Sequence, residues 1–223
     1  MNKKSAWLLC SLALALCVSS LPASAGVLYG NLGPPGNLYQ AGTGWTIAGT
    51  GTVGFYQSVA EEFQMTAGTI SEIDAGVGWV TGDNSFVMTL VEGNAIIGGT
   101  IKGSWTLASP QNFGGCCGLM SQTGLNIPVD VGANYWLIVA PTSFSSTTWG
   151  AWNLSNSTNG ELNFSTDGGN TWNDGGVTNQ GAFQVCGLGG CGGGGTTPEP
   201  SSLLLLGTGL VGAFGVVRRK LNR

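Results

Sequence analysis

Residues 70–94 read ISEIDAGVGWVTGDNSFVMTLVEGN. Ile73, Ala75, Val77 and Trp79 occupy alternate positions, the turn signal Gly82-Asp83-Asn84 intervenes, and Phe86, Met88 and Leu90 alternate again. A period of two sends successive side chains to opposite faces of a strand, so these runs predict half-buried β-strands joined by a turn. The signature continues along the chain. Ile101, Gly103, Trp105 and Leu107 repeat it, as do Ile127, Val129 and Val131, and then Tyr135, Leu137 and Val139. Further strands are expected at Trp149 to Leu154, Leu162 to Phe164 and Ala182 to Val185. Gly93-Asn94, Ser109-Pro110, Gly132-Ala133-Asn134 and Pro141 punctuate the runs. No stretch of 27–186 carries a helical period. About ten short strands at this spacing predict an all-β fold, an antiparallel sandwich of jelly-roll type.

The two ends of the chain carry different signals. Lys3 and Lys4 precede an apolar run, Ala6 to Val18, and Ala23-Ser24-Ala25 forms a small-residue cleavage site before Gly26. This is the pattern of a secretory signal peptide, so residues 1–25 are expected to be removed by signal peptidase. The domain is expected over 26–186 and a glycine-rich linker over 187–197, where GLGGCGGGGTT supplies a flexible spacer. Beyond it, Pro198-Glu199-Pro200 leads into an uncharged run from Leu203 to Val217, and Arg218, Arg219 and Lys220 follow at once. Fifteen residues of helix rise about 22 Å, short of the roughly 30 Å of a bilayer core. Such a transmembrane helix suits temporary retention at the inner membrane better than permanent anchoring.

The Pro-Glu-Pro triplet, the apolar run and the basic cluster of 198–223 resemble the PEP-CTERM sorting signal of Gram-negative bacteria. The resemblance implies recognition and removal of the tail by an exosortase-type enzyme, display at the surface or outside the cell, and a link to exopolysaccharide and biofilm. The ordered stretches GWTIAG (44–49), VAEEFQM (59–65), NYWLIVAP (134–141), TWGAWNLSN (148–156) and GAFQV (181–185), with 70–94, are similar to the choice-of-anchor R domain. That resemblance implies a secreted β-rich domain and brings no catalytic residue with it.

Charge narrows the partners. Residues 26–197 hold one basic side chain, Lys102, against ten carboxylates, a net charge of −9. Nucleic acid, which must have its phosphates neutralised, is excluded as a partner. The chain has no histidine, which excludes Ser-His-Asp, Cys-His and His-metal chemistry. Glu61-Glu62 is the visible carboxylate pair, yet neighbours on a strand face opposite sides and do not flank one bond. A hydrolase would need a second carboxylate such as Glu92 or Asp130, and the plain reading of Glu61-Glu62 is a solvated strand edge. No enzyme, cofactor or metal is expected; Asp83, Asn84 and Asp130 lack the spacing of a calcium loop.

Three features remain. STDGGNTW (165–172) fits the Asp-box turn S-x-D-x-G-x-T-W, with Ser165, Asp167, Gly169, Thr171 and Trp172 in the fixed positions. Asp167 is expected to accept turn amides and Trp172 to fold beneath into the core, a structural role. Cys116, Cys117, Cys186 and Cys191 survive export, and an even count in an oxidising compartment predicts disulfides. Three pairings are open, and bridges from the 116–117 loop to the base of the stalk are favoured over a four-thiolate zinc site. Trp149 and Trp152 lie three apart, so they face opposite sides of a strand, and one of them is expected at the surface as a stacking platform for a sugar. Sequons begin at Asn153, Asn156 and Asn163.

Overall fold

The computed structural model describes residues 26–65 and 68–191; the expected signal peptide and the expected linker and tail after 191 lie outside the described residues. The chain runs through β1 (Val27–Gly30), β2 (Gln40–Ala48), a helical turn α1 (Thr50–Val53), β3 (Ser58–Gln64), β4 (Thr69–Ala75), β5 (Val77–Thr81) and β6 (Phe86–Glu92). It continues through β7 (Thr100–Leu107), β8 (Met120–Pro128), β9 (Asn134–Pro141), β10 (Trp149–Ser165), β11 (Asn173–Gly181) and β12 (Phe183–Cys186). Among the described residues no helix is long and apolar enough to cross a membrane.

Every pairing between these strands is antiparallel. One sheet has the order β1-β12-β4-β8, and the other contains the row β3-β9-β6-β7. Taken in chain order, these strands pair from the outside inward: β1 with β12, β3 with β9, β4 with β8, and β6 with β7. A long hairpin rolled into two sheets produces this nesting, and it is a jelly roll. The other four strands enlarge the second sheet. β10 pairs with β2 and β5 along its first half and with β11 and β3 along its second.

The expected alternation decides which side chains meet. Val59 and Phe63 of β3, Met88 and Leu90 of β6 and Leu137 and Val139 of β9 turn inward. They meet Ile70 and Ile73 of β4 and Phe183 and Val185 of β12 in one buried core. The rings of Tyr29, Phe63 and Phe183 pack with centroids 4.9–5.1 Å apart. β9 is apolar on both faces, because Trp136 and Ile138 point outward and join Ala60 and Val91 in a second cluster covered by Ile96 and Trp172.

Two sequence expectations are corrected. Ile73 to Trp79 is not one strand: the chain breaks at Gly76, with β4 in the first sheet and β5 in the second. A Cβ at Gly76 would lie 2.9 Å from the ring of Tyr39, so a side chain there would collide with the core. Nor do Ile127, Val129 and Val131 share a strand. β8 ends at Pro128 and Val131 is 71% exposed.

Candidate functional site

The Asp-box closes the turn between β10 and β11. Gly168 and Gly169 have φ of 81° and 89°, the left-handed region that glycine enters without steric cost. Ser165, fully buried, donates from Oγ to Asp167 Oδ1 at 2.8 Å, and its Oγ accepts the Gly169 N–H at 2.9 Å. Asp167 also accepts the Thr171 N–H at 2.9 Å and the Thr171 hydroxyl at 2.6 Å. Bonds from Thr171 hold the Asp167 carboxyl down at about 2, so it is ionised at any ordinary pH. Trp172 departs from expectation: it packs on the outer cluster with Trp136, not in the core between the sheets.

Of the two tryptophans weighed from sequence, only Trp149 keeps accessible surface. Trp152 is fully buried and its indole N–H donates to the Ala182 carbonyl at 3.0 Å, so it offers nothing to a ligand. The register puts Trp152 opposite Val77 and Trp45, where β2 and β5 flank β10 together. Trp149 is half-buried. Among the described residues, Trp45 lines one open cavity with Leu162 and Phe164, and Trp136 and Trp172 line another, with Asn163 beside them. Sequence reasoning missed this pair because Trp136 lies in an apolar strand and Trp172 in a structural motif. The available signal was the continuous apolarity of NYWLIVA, which says that both faces of β9 are covered.

Glu61 and Glu62 face opposite sides as expected, but the solvated-edge reading fails for Glu61. β3 lies between β9 and β10, and Glu61 projects into the core with no exposed surface. Its Oε1 accepts the Gly181 N–H at 2.8 Å, while its Oε2 has no partner. Burial pushes this carboxyl up to about 9, against the pull of the Gly181 N–H, so the side chain is a neutral acid. Tyr29 nearby is raised to about 12, by burial first and then by the Glu61 carboxylate, which has ionised by that pH. The other carboxylates weighed for hydrolysis sit elsewhere. Lys102 binds Glu92 at 2.5 Å and Asp130 at 3.4 Å. Asn84 is occupied in a two-way amide clamp with the Ser109 backbone, and the Asp83 N–H donates to Thr147.

The cysteines pair within their own loops. Cys116 bonds Cys117 and Cys186 bonds Cys191, which corrects the favoured link between the two regions and leaves no four-thiolate cluster. The physical reason is placement. The first loop is held where Cys117 Sγ accepts the Leu38 N–H and Gly118 accepts the Tyr39 hydroxyl; the second lies at the end of β12. There Glu72 of β4 accepts the Cys191 N–H at 2.7 Å and the Ser71 hydroxyl bonds the Gly187 carbonyl. The loop 187–191 is therefore fastened to the domain, and the compact unit runs from Ala25 to Cys191. Val27 pairs with Cys186, and the Gly187 N–H donates to Gly26 at 2.8 Å, so both ends of the described chain leave side by side. Of the sequons, Asn153 is fully buried with its amide on the Gly76 carbonyl, and Asn156 is exposed.

This architecture is a jelly-roll domain whose C-terminal exit is clamped by a disulfide loop. A family model for the PEP-CTERM protein-sorting motif matches residues 196–220, directly after that exit. The motif supports an exported protein, directed to the cell surface and processed by an exosortase-type enzyme. A search among curated proteins gives no match to the chain. Pro198, Glu199, Pro200, Arg218, Arg219 and Lys220 of the signal, and Ala23 and Ala25 of the cleavage site, lie outside the described residues.

Proposed function

We propose that this is a non-enzymatic protein of the cell surface or extracellular matrix, held briefly in the inner membrane by its tail, released by cleavage near Pro198-Glu199-Pro200, and retained by exopolysaccharide. The observation that carries the reading is the sorting motif at 196–220 following a domain whose exit loop is pinned by Cys186–Cys191. The glycines after the pinned loop separate the folded domain from the processing site. The resemblance of 29–186 to choice-of-anchor R domains supports display in place of catalysis. Charge favours a neutral polysaccharide, since a net charge of −9 over 26–197 repels an acidic one.

Intact mass of the exported protein tests the reading. The expected species begins at Gly26 and ends near Glu199. A mass that includes 201–223 identifies a permanent anchor and ends the sorting proposal. Replacing Pro198, Glu199 and Pro200 together with alanine should leave membrane insertion intact and abolish release, because the apolar run is untouched.

A further inference from the structure

On the outer face of the second sheet, a cleft of about 230 Å³ opens between the turn that follows β6 and the Asp-box turn. Asn94, Ile96 and Ile97 line one side, Asn163 and Trp172 the other, and Trp136 belongs to the strand between them. We propose that this cleft binds one ring of a neutral glycan, which would give the matrix association argued above, on which the proposal rests, its point of contact.

The lining chooses the ligand class. None of these side chains is charged, so nothing here compensates an ionic ligand. Pockets that enclose drug-sized molecules run from about 300 to 1,000 Å³. This one is smaller and suits a single sugar ring. A sugar presents apolar C–H faces and hydroxyl edges, and the cleft offers both partners. The half-buried Trp172 supplies the accessible indole face and Trp136, 3% exposed, is the floor beneath it; both are held in place before any ligand arrives. The Trp136 N–H donates to the Gly93 carbonyl at 3.1 Å, and Trp172 ends the turn that Asp167 closes. Rigid aromatic faces bind with little loss of side-chain freedom. The Asn163 Oδ1 is buried without a hydrogen-bond partner, an unmet acceptor that a hydroxyl satisfies. Ile97 at the rim is 62% exposed, an apolar cost that a docked ring reduces. A water molecule would satisfy the oxygen and leave Ile97 exposed.

Titration calorimetry of the exported protein against cellohexaose, laminarihexaose, mannohexaose and an alginate hexamer tests this. At least one neutral oligosaccharide should bind and alginate should not. Trp172→Ala and Asn163→Ala should each weaken binding by about tenfold or more. Asn163→Ala is the sharper variant. Its Oδ1 has no partner to lose, so thermal stability should stay equal or rise while binding falls. Failure of all three neutral ligands, preferred binding of alginate, or binding indifferent to both substitutions overturns the cleft proposal. Co-fractionation of the wild-type protein with extracted matrix is scored separately: if it persists while the cleft fails, matrix association stands, and if it is absent, that reading falls as well.

Discussion

A single carboxyl shows how far one side chain can depart from its local context. Glu61 shares the inward face of β3 with Val59 and Phe63, and its neighbour Glu62 takes the outer face. The core holds Glu61 neutral, with its carboxyl at about 9 against an ordinary 4.5. Between these values the folded chain keeps a proton that the unfolded chain releases. The contribution of this group to stability is therefore complete below about pH 4.5 and is lost as pH rises through about 9. Glu61→Gln retains an acceptor for Gly181 and cannot ionise. It should exceed the wild type by on the order of 3 kcal/mol near pH 7 and match it near pH 4, read from urea unfolding at each pH. Equal stability of the two proteins at both pH values would show that Glu61 ionises in the folded core.

At the level of the element, β10 is the strand on which the second sheet turns. It runs from Trp149 to Ser165 and changes partners along its length, from β2 and β5 to β11 and β3. Trp152 anchors the first half. Its indole lies so close to the backbone that a Cβ at Gly181 would come within 2.5 Å of the ring. Trp152→Ala should lower the unfolding free energy by about 3–5 kcal/mol, the usual cost of emptying a buried aromatic site. Trp149→Ala, at a half-buried position, should cost less than half as much in the same denaturant titration. A reversed order would mean that the sheet is not anchored at Trp152. β6 shows the opposite, legible case, since Phe86, Met88 and Leu90 alternate in sequence and face the core in the fold. β11, Asn173–Gly181, has no apolar alternation to read, and its place beside β10 comes from pairing alone.

Across the whole domain, closure of the roll brings β1 and β12 together, and the core assembled there depends on contacts between distant parts of the chain. The Tyr29 hydroxyl donates to Gln180 Oε1 at 2.6 Å, and the Asn31 side chain accepts from Phe183 and donates to Gly181. Residues Ala25–Cys191 form a compact unit with both disulfides inside it. Residues 26–191 produced alone in an oxidising compartment should therefore unfold cooperatively at the midpoint of the exported protein. A midpoint lower by many degrees would show that the fold depends on chain beyond Cys191.

The strand periods, the turns between them, the Asp-box and the C-terminal sorting signal were readable in the sequence because each depends on residues a few positions apart. Side chains alternate along a strand, glycine admits a left-handed turn, and a sorting motif is a short contiguous pattern. The nested strand order, the pairing of each cysteine within its own loop, the burial of Glu61 and the meeting of Trp136 with Trp172 were decided only by the tertiary structure. Each depends on which distant strands become neighbours, and a period of two fixes what a strand buries without fixing what it is buried against.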